Sequence, residues 1–407
     1  VQPQIDCGRY PIKRVVGERV AVSADIYKEG HDKLAAILKA RRVGDEKWQE
    51  SPMTLALNDD WTGEFTVTEI GRWEYTIEAY ADHYLSWVEE ISKKNVPGAK
   101  LESELLEGLA IIRKSAVAAK GEDRTRINGI VSAIESAMAA GEQQGAVDLG
   151  VGGVLRSLMA RYPDRSEGYQ LAPALKIMVN RPISRFAAWY EFFPRSQGSA
   201  PYRHGTLKDS ILRLHDIKAM GFDVVYLPPI HPIGHSFRKG KNNSLEAGAN
   251  DVGSPWAIGN EHGGHTGLEP KLGTWDDWDL FVATCRELQI EIALDYVMNC
   301  SPDHPYVSEH PEWFFHRPDG SIKYAENPPK KYQDVYPLNF GTSDREGLWQ
   351  EMLRIFLFWI DKGVTTFRVD NPHTKPVAFW EWVIGQVHLQ HPGVIFLAEA
   401  FTKPKMM

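Results

Sequence analysis

The sequence predicts a multidomain protein: an N-terminal β-sandwich of the immunoglobulin-like kind, a helical-bundle insert, and a (β/α)8 TIM barrel present only through about its fifth strand. Three changes in the spacing of apolar residues along the 407 positions indicate this organisation. Apolar residues alternate with polar ones, then recur every three or four positions, and finally form short buried runs between helical segments. We place the sandwich at residues 1–97 with its completion at about 168–184, the insert at 98–167, and the barrel at 185–407.

The N-terminal block has the period of strands that bury one face. Val20, Val22 and Ala24 alternate with small or polar residues, and the same two-residue period recurs around Trp73 and Tyr75. Turn-forming residues lie between these runs. Short half-buried strands separated by turns are typical of a sandwich.

The second block has the period of amphipathic helices. Apolar residues lie three or four apart in three stretches, at about 101–112, 127–138 and 154–159, with short polar or glycine-rich breaks between them. The block contains no histidine or cysteine. We interpret it as a packing module that can also supply a dimer surface.

The third block alternates strands with helices, which predicts a barrel. The predicted strands are residues 186–193, 224–230, 291–299, 365–371 and 394–400, and the predicted helices are 207–220, 275–288, 347–361 and 376–389. Two connections, 232–274 and 301–343, are too long for simple loops, and we assign a subdomain B to about 301–345. Five strands do not close an eight-stranded barrel, so we expect the chain as given to be incomplete and inactive by itself.

Charge and cysteine content narrow the function classes. The net charge of −8 argues against a nucleic-acid or anionic-membrane partner, because phosphate groups require a basic face. Cys7, Cys285 and Cys300 have neither metal-ligand spacing nor a disulfide framework, and no run of 18 apolar residues is present. We predict reduced thiols, a cytoplasmic location, no membrane span, no metal and no cofactor.

Two carboxylates mark the ends of the last two predicted strands. Asp370 closes one buried run and Glu399, 29 positions later, closes the next. Parallel strands end at one edge of a sheet, so both acids are expected to flank one scissile bond, about 5 Å apart as a retaining glycosidase mechanism requires. Arg368 is expected to keep Asp370 ionised, and the apolar flanks Leu397 and Phe401 to raise the pKa of Glu399. The alternative is that both acids are solvated loop residues.

Three motif segments resemble glycoside hydrolase family 13, the α-amylase clan. They are Asp295-Tyr296-Val297-Met298-Asn299, Phe367-Arg368-Val369-Asp370 and Leu397-Ala398-Glu399. The resemblance implies that Asp370 is the nucleophile and Glu399 the acid/base. Cys300 and the run Asn371-Pro372-His373-Thr374-Lys375 depart from the amylase pattern and are similar instead to the α-1,4-glucan:maltose-1-phosphate maltosyltransferases, over essentially the whole chain.

That resemblance implies a set of substrate-binding residues. They are Lys239, Asn299, Asn327, Lys330, Tyr332, Asp334, Arg368 and Asn371. A phosphorylated donor bound by an acidic protein needs local cations and neutral donors, which Lys239, Lys330 and Tyr332 supply. Outside the family context, both lysines are better explained as solvated surface residues. Asn299 stands where many relatives are expected to have glutamine.

Other residues near these motifs have structural alternatives. Asp295 is expected to bond to Arg368, because a buried arginine needs a partner. Cys300 is better explained as a small buried residue than as a nucleophile, since no basic neighbour activates it. The aromatic residues Trp275, Trp278 and Trp313 fit either a core or a sugar platform.

The implied activity is transfer of maltosyl units from α-maltose 1-phosphate to the non-reducing end of α-1,4-glucans, with phosphate released by retaining double displacement, in glycogen or α-glucan biosynthesis. The implied partners are this donor, a maltooligosaccharide acceptor and a second copy of the chain, paired through the N-terminal half. Two alternatives stay open: an amylase-type glucan hydrolase and a catalytically inert glucan-binding protein. The family's third acid is expected beyond Met407.

Overall fold

The computed structural model describes residues 1–406, which form two compact units, one at Val1–Val179 and the other from Asn180 onward. Within residues 1–406, no helix combines the length and apolar character that crossing a membrane requires.

The first unit contains two sheets that share one core. Its strands are β1 (Ile12–Val15), β2 (Arg19–Asp25), β3 (Leu34–Arg42), β4 (Gln49–Pro52), β5 (Thr54–Leu57), β6 (Asp60–Thr66), β7 (Gly71–Ala81), β8 (Tyr169–Gln170) and β9 (Leu175–Asn180). One sheet has the order β1-β9-β7-β3-β4 with β8 beside β7, and the other has the order β2-β6-β5. Alternate residues such as Val22, Leu38 and Ile77 are buried between the two sheets. The two-residue period of the sequence therefore marks the buried faces.

A helical block is inserted between β7 and β8. Its helices are α1 (His83–Lys94), α2 (Glu102–Ala118), α3 (Gly121–Ala139), α4 (Gln143–Val151) and α5 (Gly153–Arg161). They bury a core of their own around Trp87, Leu105, Ile127 and Leu158. The glycines Gly108 and Gly150 lie so close to the Trp87 ring that an added Cβ would be within 2.2 and 2.7 Å of it, respectively.

The insert corrects the sequence prediction in two respects. It begins at His83 rather than at residue 98, and the described block has five helices where three were predicted. The first helix was missed because a single residue, the N-cap Asp82, separates its apolar residues from those of β7. The fourth was missed because small residues such as Ala146 and Gly150 form its buried face, which weakens the contrast between its two sides.

The second unit is built on a parallel sheet. Its strands are β10 (Trp189–Glu191), β11 (Val224–Leu227), β12 (Glu291–Tyr296), β13 (Asn299–Cys300), β14 (Ala325–Asn327), β15 (Lys330–Tyr332), β16 (Tyr336–Pro337), β17 (Thr366–Val369) and β18 (Ile395–Ala398), and its helices are α6 (Leu207–Ala219), α7 (Trp275–Glu287), α8 (Pro305–Glu309), α9 (Arg345–Asp361) and α10 (Val377–Gln390). The sheet order β10-β11-β12-β17-β18 follows the chain, and every adjacent pair is parallel. This is the strand arrangement of the first part of a (β/α) barrel.

Each of the five parallel strands is shorter than predicted. The residues at the carboxyl end of each predicted run, including Asp370 and Glu399, lie just beyond the last ladder pair. The backbone N–H groups of Asp370 and Glu399 still donate to Tyr296 and Val369 of the neighbouring strands, so their side chains lie at the edge of the sheet. The predicted order of the five parallel strands is therefore confirmed, and each strand has shorter bounds than predicted.

Local signals fix where the helices of this unit begin. The helices α6 and α7 each start with a capping box, in which Thr206 pairs with Asp209 and Thr274 with Asp277. Trp278 and Trp313 are buried in the core of the unit, and Trp275 packs against that core. The core interpretation is therefore right for Trp278 and Trp313, while Trp275 is half-buried at the edge of the core.

The predicted subdomain B has little regular structure. A two-residue ladder joins β13 to β16, and β14 pairs with β15 in a short hairpin that places Asn327 opposite Lys330. The segment leaves the sheet directly after β12, so both small ladders lie on the side of the carboxyl ends of the strands.

Candidate active site

The register of the central strands brings three acids to one arginine. In the parallel ladder, Asp295 of β12 lies opposite Arg368 of β17, which lies opposite Leu397 of β18. Asp370 and Glu399 each follow two residues later on their strands, on the same side of the sheet as Arg368 and Leu397, respectively. Neighbouring strands thus place four charged groups around one point.

Arg368 contacts all three carboxylates. Its Nη1 donates to both oxygens of Asp295 at 2.9 and 3.0 Å and to Oδ1 of Asp370 at 3.0 Å. Its Nη2 lies 2.6 Å from Oε1 of Glu399. Only 16% of the Arg368 side chain is exposed, so these are strong charge-assisted bonds. The expected bond between Asp295 and Arg368 is confirmed.

Asp295 is the most buried acid of the cluster. Its carboxylate also accepts the Tyr226 hydroxyl at 2.9 Å and the Trp256 indole N–H at 3.0 Å. Burial raises the pKa of Asp295 to about 6, although Arg368 acts in the opposite direction. With its oxygens taken by three donors, Asp295 supports Arg368 rather than facing a substrate.

Glu399 is held in a different electrostatic state. Burial and a hydrogen bond with Asp370 raise the pKa of Glu399 above its ordinary value, and Arg368 opposes that rise. The sequence predicted this direction but assigned the burial to Leu397 and Phe401, which are both exposed. The burial is therefore supplied by the polar cluster itself, because its members crowd the carboxyl group.

Asn371 links the two candidate catalytic acids. Its backbone N–H donates to Oε2 of Glu399 at 3.3 Å, and its side-chain amide donates to Oδ2 of Asp370 at 3.3 Å. Its backbone is left-handed, with φ of 43°, a conformation that asparagine tolerates better than most residues. Asp370 and Glu399 therefore share one guanidinium and one asparagine, which fixes them as a pair.

Two other predicted residues form a second cluster, carried by loops. The Lys239 ammonium donates to the backbone oxygen of Lys331 at 3.3 Å and lies 3.9 Å from Oδ1 of Asp334. Both side chains are buried, at 6% and 3% exposure. Burial raises the pKa of Asp334. Among residues 1–406, Oδ1 of Asp334 is buried without a hydrogen-bond partner, so one acceptor of this cluster is left unsatisfied by the protein.

Three of the remaining predicted residues lie in the hairpin that contacts this second cluster, and Asn299 lies in a separate ladder. The hairpin of β14 and β15 carries Asn327 and Lys330 with exposed side chains and Tyr332 half-buried. Its backbone contacts Lys239 through the oxygen of Lys331. Asn299 lies in β13, paired with Pro337 of β16. The hydrogen bonds of the Arg368 cluster do not include these four predicted residues. The predicted site residues therefore do not form a single hydrogen-bonded group.

A buried histidine pair was missed by the sequence analysis. The Tyr306 backbone N–H donates to Nδ1 of His304 at 3.0 Å, so a neutral His304 carries its proton on Nε2 and donates it to Nδ1 of His265, also at 3.0 Å. Burial lowers the pKa of His265 to about 4 and that of His304 well below its ordinary value. The two residues are 39 positions apart in different loops, so their spacing gave no signal.

Cys300 lies beside this pair, and the three side chains are close enough to surround an ion. The hydrogen bonds of His304 disfavour an ion at this position. Both of its ring nitrogens already have partners, one as acceptor and one as donor. Burial raises the pKa of the Cys300 thiol well above its ordinary value, which disfavours the thiolate needed for ligation or attack. The cluster is a hydrogen-bonded support for the loop after β12, and Cys300 is a small buried residue, as expected.

Two family models match successive parts of the chain, and together they give the class of protein. A parallel sheet with paired acids beyond adjacent strands is the arrangement of α-amylase-type enzymes, and the family model described as alpha amylase, catalytic domain, matches residues 189–375. Residues 1–181 match the model described as alpha-1,4-glucan:maltose-1-phosphate maltosyltransferase, domain N/S. An α-amylase structure from Lactobacillus plantarum is 31% identical, over 53% of this chain and 45% of that chain, with a TM-score of 0.44.

Curated relatives give the family. The α-1,4-glucan:maltose-1-phosphate maltosyltransferase of Myxococcus xanthus is 49% identical over 415 residues, covering 100% of this chain and 62% of the relative. The protein of the same name from Cereibacter sphaeroides is 44% identical, over 100% of this chain and 68% of that protein. The chain belongs to the α-1,4-glucan:maltose-1-phosphate maltosyltransferase family. It spans about 60% of the length of most of the curated relatives it matches.

Proposed function

We propose that the protein transfers maltosyl units from α-maltose 1-phosphate to the non-reducing end of an α-1,4-glucan, with release of inorganic phosphate. The observation that carries this proposal is the pair Asp370 and Glu399, held by one guanidinium at the ends of adjacent parallel strands. Family membership identifies the donor and acceptor, because the relatives carry both in their name. The two acids supply the means of a double displacement.

In the first step, a carboxylate oxygen of Asp370 attacks the anomeric carbon of the donor. The bond from that carbon to the phosphate oxygen breaks, and phosphate leaves with the electron pair. Glu399, whose raised pKa favours its protonated form, donates a proton to the departing oxygen. The product is a maltosyl ester of Asp370, which preserves the energy of the glycosyl bond for transfer.

In the second step, the 4-hydroxyl of the glucan attacks the same carbon. Glu399, now a carboxylate, takes the hydroxyl proton while the ester bond to Asp370 breaks. Two inversions give net retention at the anomeric carbon. Arg368 stays bonded to Asp295 throughout and stabilises the Asp370 carboxylate as it is released.

Donor recognition is proposed for the second cluster. Oδ1 of Asp334, which has no hydrogen-bond partner within residues 1–406, suits a sugar hydroxyl, and the buried Lys239 donates beside it. The hairpin carries Lys330, Tyr332 and Asn327, one cation and two neutral donors, which suits the phosphate group. Phosphate thereby gains local cations in a protein whose net charge is −8.

The test is an assay of the protein expressed from its complete gene. Maltose 1-phosphate is supplied with and without a maltooligosaccharide, and inorganic phosphate and chain length are measured. Acceptor-dependent phosphate release with products that grow by two glucose units supports the proposal. Reducing ends released from starch, without phosphate dependence, would indicate an amylase-type hydrolase. Glucan binding with neither reaction would indicate a catalytically inert binding protein.

The same proposal includes the finer points of assembly and fold. We propose a cytoplasmic homodimer paired through the N-terminal half, an immunoglobulin-like topology for the two-sheet sandwich, and closure of the parallel sheet into a full barrel in the complete protein. Equilibrium sedimentation measures the first of these. A single-chain mass at micromolar concentration would contradict the dimer.

A further inference from the structure

Asp303 joins the loop that follows β11 to the loop that follows β12. Its Oδ2 accepts the backbone N–H of His235 at 2.6 Å and that of Ser236 at 2.7 Å, and its Oδ1 accepts the Ser236 hydroxyl at 2.6 Å. Burial opposes ionisation, but these bonds hold the pKa of Asp303 below its ordinary value. Asp303 therefore binds the opposite loop as a carboxylate, with three short bonds.

The backbone at Gly234 packs closely against the loop that carries Asp303. A Cβ added to Gly234 would be 2.4 Å from the Cβ of Ser301 and 3.2 Å from Oδ2 of Asp303. On the other side of the turn, Arg238 donates to the backbone oxygens of Gly234 at 2.8 Å and Ile233 at 2.9 Å. The turn at 234–238 is therefore fixed from both sides.

The turn contains a strained residue. Phe237 has a φ of 53°, a left-handed conformation that is rare for a bulky side chain. Its side chain is 56% exposed, so packing of the ring does not account for the conformation. Strained residues persist where their surroundings fix them, and here the fixing bonds are those of Asp303 and Arg238.

Lys239 directly follows this turn, and its side chain is buried. Only 6% of its side chain is exposed, and its ammonium reaches the backbone oxygen of Lys331 at 3.3 Å. A lysine is rarely buried unless its position is strongly determined. Lys241, two residues later, is exposed. Of these two lysines, Lys239 alone has a buried side chain, and it is the one that directly follows the turn.

We propose that Asp303 is a positioning residue, which holds the strained turn at Phe237 and thereby places Lys239 beside Asp334. It does so through backbone contacts with His235 and Ser236. The role of Lys239 in donor binding rests on the function proposed above. The placement of Lys239 does not, and it is measurable without any substrate.

The first experiment measures the accessibility of Lys239 in the variant Asp303→Asn. The asparagine side chain is neutral, so the negative charge that strengthens the three bonds to His235 and Ser236 is lost. Proteins are labelled with an acetylating reagent and the rate at each lysine is read by mass spectrometry. We expect Lys239 to react at least about tenfold faster in the variant, as loss of a charge-assisted bond implies. Lys241 reacts at the same rate in both proteins.

A thiol control separates a local change from unfolding. Cys285 is 1% exposed in the core of the second unit, so it stays unreactive toward a maleimide unless that core opens. If Asp303→Asn does not fold, Ser236→Ala decides the question, because it removes a single bond to Asp303 and should raise Lys239 labelling by a smaller factor. Unchanged Lys239 labelling in a folded Asp303→Asn, or in Ser236→Ala where that variant decides, would overturn the proposal.

A rescue experiment tests the route through the turn. Asparagine tolerates left-handed backbone better than phenylalanine or alanine. Adding Phe237→Asn to Asp303→Asn is expected to restore much of the Lys239 protection, and adding Phe237→Ala is not. Equal behaviour of the two double variants would contradict the role of the strained turn.

Kinetics of the complete protein connect this placement to the donor. Asp303→Asn is expected to raise the KM for maltose 1-phosphate by about tenfold while kcat changes less than about twofold. A merely structural role would instead lower kcat in proportion to the folded fraction. If the wild type releases no phosphate, the proposed function is wrong. The placement of Lys239 by Asp303 is then still tested by the labelling experiment alone.

Discussion

The Arg368 cluster and the Lys239 pair are two buried charge arrangements built in different ways. Arg368 lies on a strand, and three carboxylates, one from the end of its own strand and one from each neighbouring strand, approach it to between 2.6 and 3.0 Å. Lys239 and Asp334 lie in loops, 3.9 Å apart, and one carboxylate oxygen has no partner within residues 1–406. Strand register thus brings all three carboxylates into contact with Arg368. The loops, in contrast, leave Oδ1 of Asp334 without a hydrogen-bond partner within residues 1–406.

Loss of the proposed nucleophile, Asp370, from the Arg368 cluster should reduce turnover the most. Asp370→Asn keeps the shape of the side chain but not its charge, so turnover should fall by at least about a thousandfold. Donor affinity should persist, because the Lys239 pair is untouched. Phosphate release and calorimetric binding of maltose 1-phosphate measure the two effects. A variant that keeps a tenth of wild-type turnover would show that Asp370 is not the nucleophile.

The second effect concerns stability. Arg368→Met removes the cation that three acids share and leaves ionised carboxylates in a buried cluster, which costs about 3–5 kcal/mol at pH 7. The native carboxyl groups then have pKa values above those of the unfolded chain, so the native state binds more protons and the loss shrinks as pH falls from 7 toward 5. Amide hydrogen exchange in β12 and β17 measures the free energy of opening at each pH.

Arg213→Met is the matched control for that variant. Arg213 pairs with Asp216 on a helix surface, with 37% and 67% of the two side chains exposed. Exposed ion pairs contribute little, so exchange in the same strands should be unchanged. If both variants destabilise the sheet equally, the loss reflects arginine packing rather than the shared charge.

The two arrangements also differ in how far the sequence predicts them. The acids Asp370 and Glu399 were found because each ends a short apolar run that predicts a parallel strand, which is a local pattern. The donors Tyr226 and Trp256 were missed, because one reaches Asp295 through strand register and the other from a long loop. Local spacing does not encode such contacts, since they depend on how distant segments pack.

The loop-borne residues were found in another way. Lys239, Asp334 and the hairpin residue Lys330 came from resemblance to a family, since by pattern alone the two lysines are better explained as surface residues. The structure separates them: Lys239 is buried and Lys330 exposed. That difference depends on the turn before Lys239 and on Asp303, which no periodicity predicts. The prediction was therefore strongest for the strands and weakest for the loops.

The third effect tests whether the loop pair serves recognition. Asp334→Asn removes the charged acceptor, so the KM for maltose 1-phosphate should rise by about tenfold with little change in kcat. Stability should change much less than in Arg368→Met, because the wild-type pair is long and burial already disfavours the Asp334 charge by raising its pKa. Asp319→Asn, which alters an exposed acid bonded to Ser321, is the control. A fall in kcat with constant KM would place Asp334 in the chemical step.

The smallest effect concerns the support of Asp295. Burial raises the pKa of Asp295 to about 6, above the ordinary value near 3.9, so the native state binds a proton more tightly than the unfolded chain. Its contribution to stability therefore falls as pH rises from about 4 to 6 and is level above that window. Tyr226→Phe removes a donor to the charged carboxylate, so the window should extend to higher pH and the variant should lose about 1 kcal/mol at pH 7. Hydrogen exchange in β12 between pH 4 and 8 measures this, with Tyr190→Phe as the control because that hydroxyl accepts a bond from Arg213. Parallel stability curves for Tyr226→Phe and the wild type would show that Tyr226 does not act through the charge of Asp295.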